Sequence, residues 1–175
     1  TFQQMLAAAR AEHPTAHIVI KTHPETQLGY RAGHFSAEAL DDDMELLTHA
    51  IAPQDLFAAA HAVYTATSQM GFEAIWAGHR PAVFGQPFYA GWGLTRDVQP
   101  IHRRGRSLTS AQIFAGAMML YPKWYDPCRD TLCSLEHVLD QLEAETRAWR
   151  DDNTGWEARG ISLWKRQPLQ KFLAA

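Results

Sequence analysis

The sequence predicts an α/β fold: a Rossmann-like open parallel sheet with appended helices. Three observations predict it. Short β-branched runs, beginning with His17-Ile-Val-Ile-Lys-Thr22, have the composition of strands buried on both faces. Helical segments alternate with these runs, and residues 62–84 make a complete strand–helix–strand unit. The segments that follow the strands carry His, Ser, Gly and aromatic residues, which suit the loops beyond the carboxyl ends of strands where such sheets bind ligands.

Taken in order, residues 2–11 are Ala-rich with Phe2, Met5, Leu6 and Ala9 on one helical face. His13-Pro14 stops that helix, because the residue before a proline is pushed out of the α region. The strand over 17–22 then delivers His23-Pro24-Glu25 into the loop at its carboxyl end. A second strand is expected at 45–48, and a helix at 53–60 with Pro53 at its start and Asp55 in its first turn. Residues 62–66 read as a strand, 68–77 as a helix closed by Gly78, and 81–84 as the next strand. Such crossovers are almost always right-handed. The run Gln86-Pro-Phe-Tyr-Ala-Gly-Trp-Gly-Leu-Thr95 is too long and too apolar for a mere turn and belongs near a ligand or an interface. Thr109-Ser-Ala-Gln112 is a capping-box pattern opening a helix that ends at Tyr121-Pro122. Ser134 opens another helix, with Leu135, Val138, Leu139 and Leu142 on one face. The expected organisation is a Rossmann-like domain over 1–128, a packing helix and linker over 129–153, and a separate carboxyl-terminal segment over 154–175.

Bulk properties narrow the function classes. A chain of 175 residues, 46% apolar, is long enough to bury one core. Its net charge of −3 offers no broad basic field for duplex nucleic acid, although Arg103, Arg104 and Arg106 form a local basic cluster. Nucleic acid is therefore not the expected partner. Cys128 and Cys133 have no second ligand pair nearby, which argues against a zinc site or disulfide framework and fits a reducing cytoplasm. No apolar run approaches the roughly 20 residues that cross a bilayer, and the first ten residues lack the pattern of a signal peptide. The expected location is cytoplasmic, soluble or peripheral on a membrane. The chain opens without Met inside a helical segment, and reads as part of something longer.

Three loops after three strands would converge on one crevice of a doubly wound sheet: His23-Pro24-Glu25, Thr67-Ser68, and 86–95. Ser68 at a helix start could present its hydroxyl and free backbone N–H groups to an anion, or Thr67 or Ser68 could simply cap the helix. His23 could donate to a phosphate or pack beside Pro24; its position at the rigid carboxyl edge favours the first role, and the role of stabilising charge on a departing phosphate. Lys21 shares that edge, where a lysine more often serves as a solvated gatekeeper. Glu73 could accept from a sugar or ribose hydroxyl, or solubilise its surface. Gly91 and Gly93 around Trp92 suggest backbone close to a ligand, with Phe88, Tyr89 and Trp92 offering stacking surface; the alternative is a loop that covers the core. Asp41-Asp-Asp43 sits where acids are expected at an element start, and no metal is assigned. Other histidines, among them His61, His79 and His137, show no paired ligand spacing and read as structural.

The motifs Lys21-Thr-His-Pro-Glu25, Val63-Tyr-Thr-Ala-Thr-Ser-Gln-Met-Gly-Phe-Glu-Ala74, Phe84-Gly-Gln-Pro-Phe-Tyr-Ala-Gly-Trp-Gly-Leu-Thr95 and Leu120-Tyr-Pro122 with Asp126-Pro127 resemble, in this order, the capsule polysaccharide biosynthesis proteins of the KpsC type. The resemblance covers about residues 16–128, and the third motif is its most specific part. It implies a retaining β-Kdo glycosyltransferase that moves Kdo from CMP-β-Kdo onto a lipid-linked Kdo acceptor, working at the inner-membrane surface with the capsule assembly machinery. It also implies a GT-B-like architecture of two Rossmann-like halves, of which this chain would be the carboxyl-terminal, nucleotide-sugar-binding half. Carried over, His23 and Ser68 would hold the CMP phosphate, with His23 the catalytic group, and Glu73 would contact the ribose. Lys21, Pro24, Thr67, Gly71, Gln86, Tyr89, Gly91, Trp92 and Gly93 complete the expected nucleotide-sugar site. No metal or other cofactor is expected. The family's proposed catalytic carboxylate belongs to the other, acceptor-side half. Gly160-Ile-Ser-Leu-Trp-Lys-Arg166 resembles the opening strand of a further transferase module. The competing readings are a transferase or epimerase using another nucleotide sugar, and a non-catalytic export or scaffold module with the aromatic loop as a protein interface.

Overall fold

The computed structural model describes residues 1–30, 32–35, 40–47 and 51–153. The chain divides into two compact units, Thr1–Ala117 and Met118–Ala175. The segment 154–175, expected to open a further module, lies outside the described residues, as does Thr48 at the end of the second expected strand.

The first unit is α/β with all its strand pairs parallel. Helix α1 (Phe2–Glu12) leads into β1 (Ile18–Lys21), which pairs with β2 (Met44–Leu47) with Ile18 opposite Met44 and Lys21 opposite Leu47. Between them α2 (Pro24–Gln27) is a single turn that starts directly after His23. The Thr22 hydroxyl donates to the Leu47 carbonyl at 3.3 Å and extends the pairing past the strand end. Helix α3 (Pro53–Ala59) begins on its proline, as the missing N–H of proline favours. The βαβ unit follows as β3 (Tyr64–Thr65), α4 (Met70–Trp76) and β4 (Ala82–Val83). A strand that periodicity does not reveal, β5 (Arg96–Asp97), pairs with β4, giving the order β3-β4-β5.

Among the described residues the parallel strands expected from the sequence pair as two sheets, β1-β2 and β3-β4-β5, rather than as one. Strand β3 is two residues long and uses its carbonyls on β4, where the N–H groups of Ala82 and Phe84 bond to Val63 and Thr65. So short a strand has little ladder to offer a second neighbour on its other edge. The core of the unit combines Phe57 of α3, Phe72, Ala74 and Ile75 of α4, Ala82 and Val83 of β4, and Tyr89 and Ala90 of the long loop. Phe72 is the aromatic hub, with its ring centroid 5.0 Å from Phe88 and 6.4 Å from Tyr89.

Glu12, the last residue of α1, ties that helix to the β3-β4-β5 sheet. Its carboxylate takes two bonds from the Arg96 guanidinium, at 2.7 and 2.6 Å, and one from the Tyr64 hydroxyl at 2.6 Å. The Arg96 bonds, then the Tyr64 bond, hold the Glu12 pKa down from 4.5 to about 2. A depressed carboxylate pKa stabilises the fold fully above the unfolded value, and that contribution is lost as the pH falls through the folded value. Glu12→Gln is thus expected to lower Tm at pH 7, with the gap to the parent protein closing between pH 4.5 and about 2. Thermal melts of both proteins across that range check it; a gap that does not narrow on acidification contradicts the clamp.

Helix α5 (Ser110–Phe114) carries the expected capping box. The Thr109 hydroxyl accepts from Gln112 N–H at 3.2 Å, and the Gln112 side chain accepts from Thr109 N–H at 2.9 Å. It continues as a π-helical stretch over Ala115–Leu120, where a plain α-helix was expected. The second unit is a hairpin of β6 (Trp124–Asp126) and β7 (Thr131–Cys133) with helix α6 (Leu135–Asn153). The expected domain boundary at 128 falls inside this hairpin, between its paired strands. Asp126 is fully buried and organises it, accepting from the N–H groups of Cys128 and Arg129 and from His137 Nε2 at 2.8 Å. The Gln141 side chain, then His137 and the two backbone N–H groups, hold its carboxyl well below the usual carboxylate range. His137 is structural, as read from its spacing. Of Leu135, Val138, Leu139 and Leu142, expected on one helical face, the first two are half-buried and Leu139 and Leu142 are exposed, as three-residue strands cover only the start of a 19-residue helix. The thiols of Cys128 and Cys133 are free, and no helix among the described residues is long and apolar enough to cross a membrane.

Candidate functional site

The carboxyl ends of β1, β3 and β4 deliver the three loops singled out in the sequence. Lys21 closes β1, and its ammonium bonds back to the Thr22 carbonyl at 3.3 Å. His23 follows with its side chain 58% exposed. Its Nδ1 accepts from the Glu25 N–H at 3.2 Å, with Glu25 Oε2 at 3.4 Å. The turn that begins at Pro24 therefore holds one edge of the imidazole, and Nε2 lies on the other edge, open to solvent or a ligand.

After β3, Thr67 and Ser68 are exposed. The α-helix begins at Met70 rather than at Ser68, and the Ser68 hydroxyl oxygen accepts from the Met70 N–H at 3.3 Å. The capping role that the sequence left open is thus occupied, while the hydroxyl proton of Ser68 still has an acceptor to find. Glu73 is half-buried on α4, and its carboxylate has no hydrogen-bond or ion-pair partner among the described residues.

The loop after β4 is drawn onto this same edge. Gly85 packs so close to the preceding crossover that a Cβ there would lie 2.8 Å from the Ala66 carbonyl oxygen and 2.7 Å from Thr67 Cγ2. Tyr89 is fully buried, and its hydroxyl donates to the Ser68 carbonyl at 2.5 Å. Burial pushes its phenol pKa up, so it remains a neutral donor. Gly71 faces that ring: a Cβ there would come within 2.7 Å of Tyr89 Cζ and 2.8 Å of Thr65 Cγ2. Tyr89 and Gly71, expected to touch the nucleotide sugar, are in this structure the packed support of the Ser68 turn, and a ring with no exposed face cannot stack on a ligand.

Trp92 is half-buried, donates from its indole N–H to the Phe88 carbonyl at 2.8 Å, and has the Arg104 guanidinium 5.3 Å from its ring centroid. Arg104 also donates to the carbonyls of Pro87 and Ala90, at 2.7 and 2.5 Å. Gly91 has φ +76° and its N–H donates to Asp97 Oδ2 at 2.9 Å, while the Thr95 hydroxyl donates to Asp97 Oδ1 at 2.8 Å. Gly93 also has positive φ, and Gln86 is exposed at the loop's start. The loop is a rigid cover over the core, pinned by Arg104 and Asp97. Neither role is evident from the sequence. Arg104 was visible only as charge in a basic cluster, and the Thr95-x-Asp97 spacing was the one local sign of Asp97.

Two of the three loops, 67–68 and 85–95, are thus brought together by direct contact. No hydrogen bond or ion pair links His23 to them among the described residues. The described residues contain no group of three or more His, Cys, Asp or Glu arranged to hold a metal ion.

A βαβ crossover with parallel strands, polar loops at their carboxyl ends and a glycine-rich cover defines a Rossmann-like unit. Comparison with known proteins makes the family definite. The capsule polysaccharide biosynthesis protein family matches residues 1–122, and the chain belongs to that family, in its KpsC-type branch. It is 36% identical to the capsule polysaccharide modification protein LipA of Neisseria meningitidis serogroup B, over 98% of this chain and 25% of LipA. It is 32% identical to the lipopolysaccharide-processing protein LpsZ of Rhizobium meliloti, over 83% of this chain and 33% of LpsZ. Among solved structures it resembles the β-Kdo 2,4 transferase of Thermosulfurimonas dismutans KpsC, with a TM-score of 0.75, 38% identity, and 81% of this chain covered against 44% of that one. The β-Kdo 2,7 transferase of the same protein gives a TM-score of 0.69 at 31% identity, with 83% and 47% covered. The chain spans a quarter to under half of the length of these relatives.

Proposed function

We propose that this chain is the donor-holding part of a retaining β-Kdo transferase that moves Kdo from CMP-β-Kdo to a lipid-linked Kdo acceptor during capsule assembly at the cytoplasmic face of the inner membrane. The observation that carries the reading is the likeness to a β-Kdo 2,4 transferase over 81% of the chain, at 38% identity and a TM-score of 0.75. The higher TM-score and identity to that neighbour favour a 2,4 linkage over a 2,7 linkage.

In this reading the CMP phosphate sits between the outer edge of His23 and the Ser68 turn. As the glycosidic bond to Kdo breaks, negative charge grows on the departing phosphate, and a donor already in place is worth more in the transition state than in the ground state. His23 Nε2 is that donor. Ser68 gives its hydroxyl proton to a phosphate oxygen while its own oxygen keeps the Met70 N–H. Glu73 accepts from a ribose hydroxyl. Gln86, Gly91, Trp92 and Gly93 border the site through the rigid loop, and Tyr89 and Gly71 act from behind by fixing Ser68. Lys21, Pro24 and Thr67 frame the two turns. No divalent metal is required where these groups meet the phosphate charge.

The test uses the full-length protein, CMP-Kdo and a Kdo-terminated lipid acceptor, with and without EDTA. The expected result is CMP release with one Kdo added in a 2,4 linkage, undiminished by EDTA. Transfer only from a uridine-linked sugar, or none from any nucleotide sugar, overturns the reading in favour of the other transferase class or a scaffold module. Ser68→Ala is expected to weaken CMP binding by about 10-fold, the lower end of the range for a hydrogen bond to a charged group, as read by calorimetry. Unchanged affinity would leave Ser68 with its cap alone.

A further inference from the structure

The amino-terminal edge of the β3-β4-β5 sheet, opposite the loops just described, carries a second concentration of chemistry. Glu12, His13, His61, His79, Arg80 and Arg96 line a cleft of about 310 Å³ there. Ala62 and Val63 enter β3 along its wall, and Ala82 begins β4. The cleft contains no residue of the 67–68 turn or the 85–95 loop, and it is at the small end of the size range of small-molecule sites.

Its charge is one-sided. Glu12 is its only acid among the described residues, and both Glu12 oxygens are consumed by Arg96 and Tyr64. That pair is neutral overall. The Arg80 guanidinium is exposed and has no hydrogen-bond or ion-pair partner among the described residues, and the same holds for His61. His79 uses Nε2 to donate to the Phe57 carbonyl at 2.8 Å, and His13 stands edge-on to the Tyr64 ring, 6.1 Å between centroids. His13, His61 and Arg80 therefore bring to one cleft N–H donors that meet no acceptor among the described residues. An imidazole offers an N–H to an oxyanion whether or not it is charged, and a guanidinium matches the paired oxygens of a phosphate or carboxylate.

We infer that this cleft binds a small phosphate- or carboxylate-bearing anion, with Arg80 and His61 as its principal donors. The site is separate from the proposed donor site and does not depend on which sugar is transferred.

Equilibrium dialysis of the full-length protein with radiolabelled inorganic phosphate, at ionic strength held constant with chloride, tests it. Saturable binding is expected, weakened about 10- to 100-fold by Arg80→Gln, the range for a hydrogen bond to a charged group, and reduced by His61→Gln. His23→Ala should leave this binding in place. Both cleft variants should keep the parent Tm, because neither side chain holds another residue. Displacement by free Kdo but not by glycerol phosphate identifies a sugar-acid carboxylate as the ligand class, and the reverse identifies a phosphate ester. Binding that is lost in His23→Ala but intact in Arg80→Gln belongs to the donor site and overturns the inference. Non-saturable binding, or equal displacement by chloride, overturns it too.

Discussion

Replacing His23 by alanine in the full-length protein is expected to lower turnover in Kdo transfer by about 10²–10³, the typical effect of removing one preorganised donor to a developing oxyanion. Folding should hardly change. The side chain is 58% exposed and its contacts lie inside its own turn, with the Glu25 N–H and carboxylate. Exposed substitutions of this kind usually cost about 0.5 kcal/mol or less. The loss should fall on kcat more than on KM, because the charge His23 meets is larger in the transition state than in bound CMP-Kdo. Steady-state kinetics beside a thermal melt separate the outcomes. Near-normal turnover, or a loss matched by unfolding, means that His23 only packs at the end of β1.

The opposite behaviour is expected of Tyr89. Its ring is fully buried between Phe72 and Gly71, and its hydroxyl holds the Ser68 carbonyl. Truncation to alanine should cost about 3–5 kcal/mol, as for other large buried aromatic rings, with any fall in CMP affinity secondary to lost structure. Tyr89→Phe keeps the volume and should cost about 1 kcal/mol through the missing hydrogen bond. Gly71→Ala attacks the same contact from the other side. The added methyl would lie 2.7 Å from Tyr89 Cζ, and relieving that overlap should cost about 1–3 kcal/mol. Equilibrium denaturation checks all three. A Tyr89→Ala protein of parental stability that binds CMP poorly would return this residue to the ligand face.

The two residues show where local sequence reasoning succeeds and where it stops. Repeating apolar spacing, proline at a helix start and the Thr109/Gln112 capping box are local signals, and α1, β1, α3, the βαβ unit and α5 were legible from them. Strand β5 was not, because two charged residues, Arg96 and Asp97, have no period; the strand exists through its pairing with β4. The Glu12 clamp joins residues 84 positions apart, and no short window contains it. The hairpin β6-β7 was hidden for a related reason, since its organiser Asp126 is recognisable only once His137 and the turn N–H groups are beside it. In the loop over 86–95, glycine and aromatic content set the segment apart, but composition could not say whether the rings faced a ligand or the core. Tyr89 faces the core. Ser68 remained ambiguous in the sequence because capping and phosphate binding call for the same residue type, and its cap bond to Met70 leaves the hydroxyl proton free for the second task.

The most direct test of the account is to locate CMP on the full-length protein, by a bound structure or by hydrogen-exchange protection in a CMP titration. The account predicts the phosphate between His23 and the 67–70 turn, with protection at the Met70 and Gly71 amides and around residues 22–25, and none from UDP or ADP at the same concentration. CMP bound elsewhere, or protection by all three nucleotides alike, would contradict it.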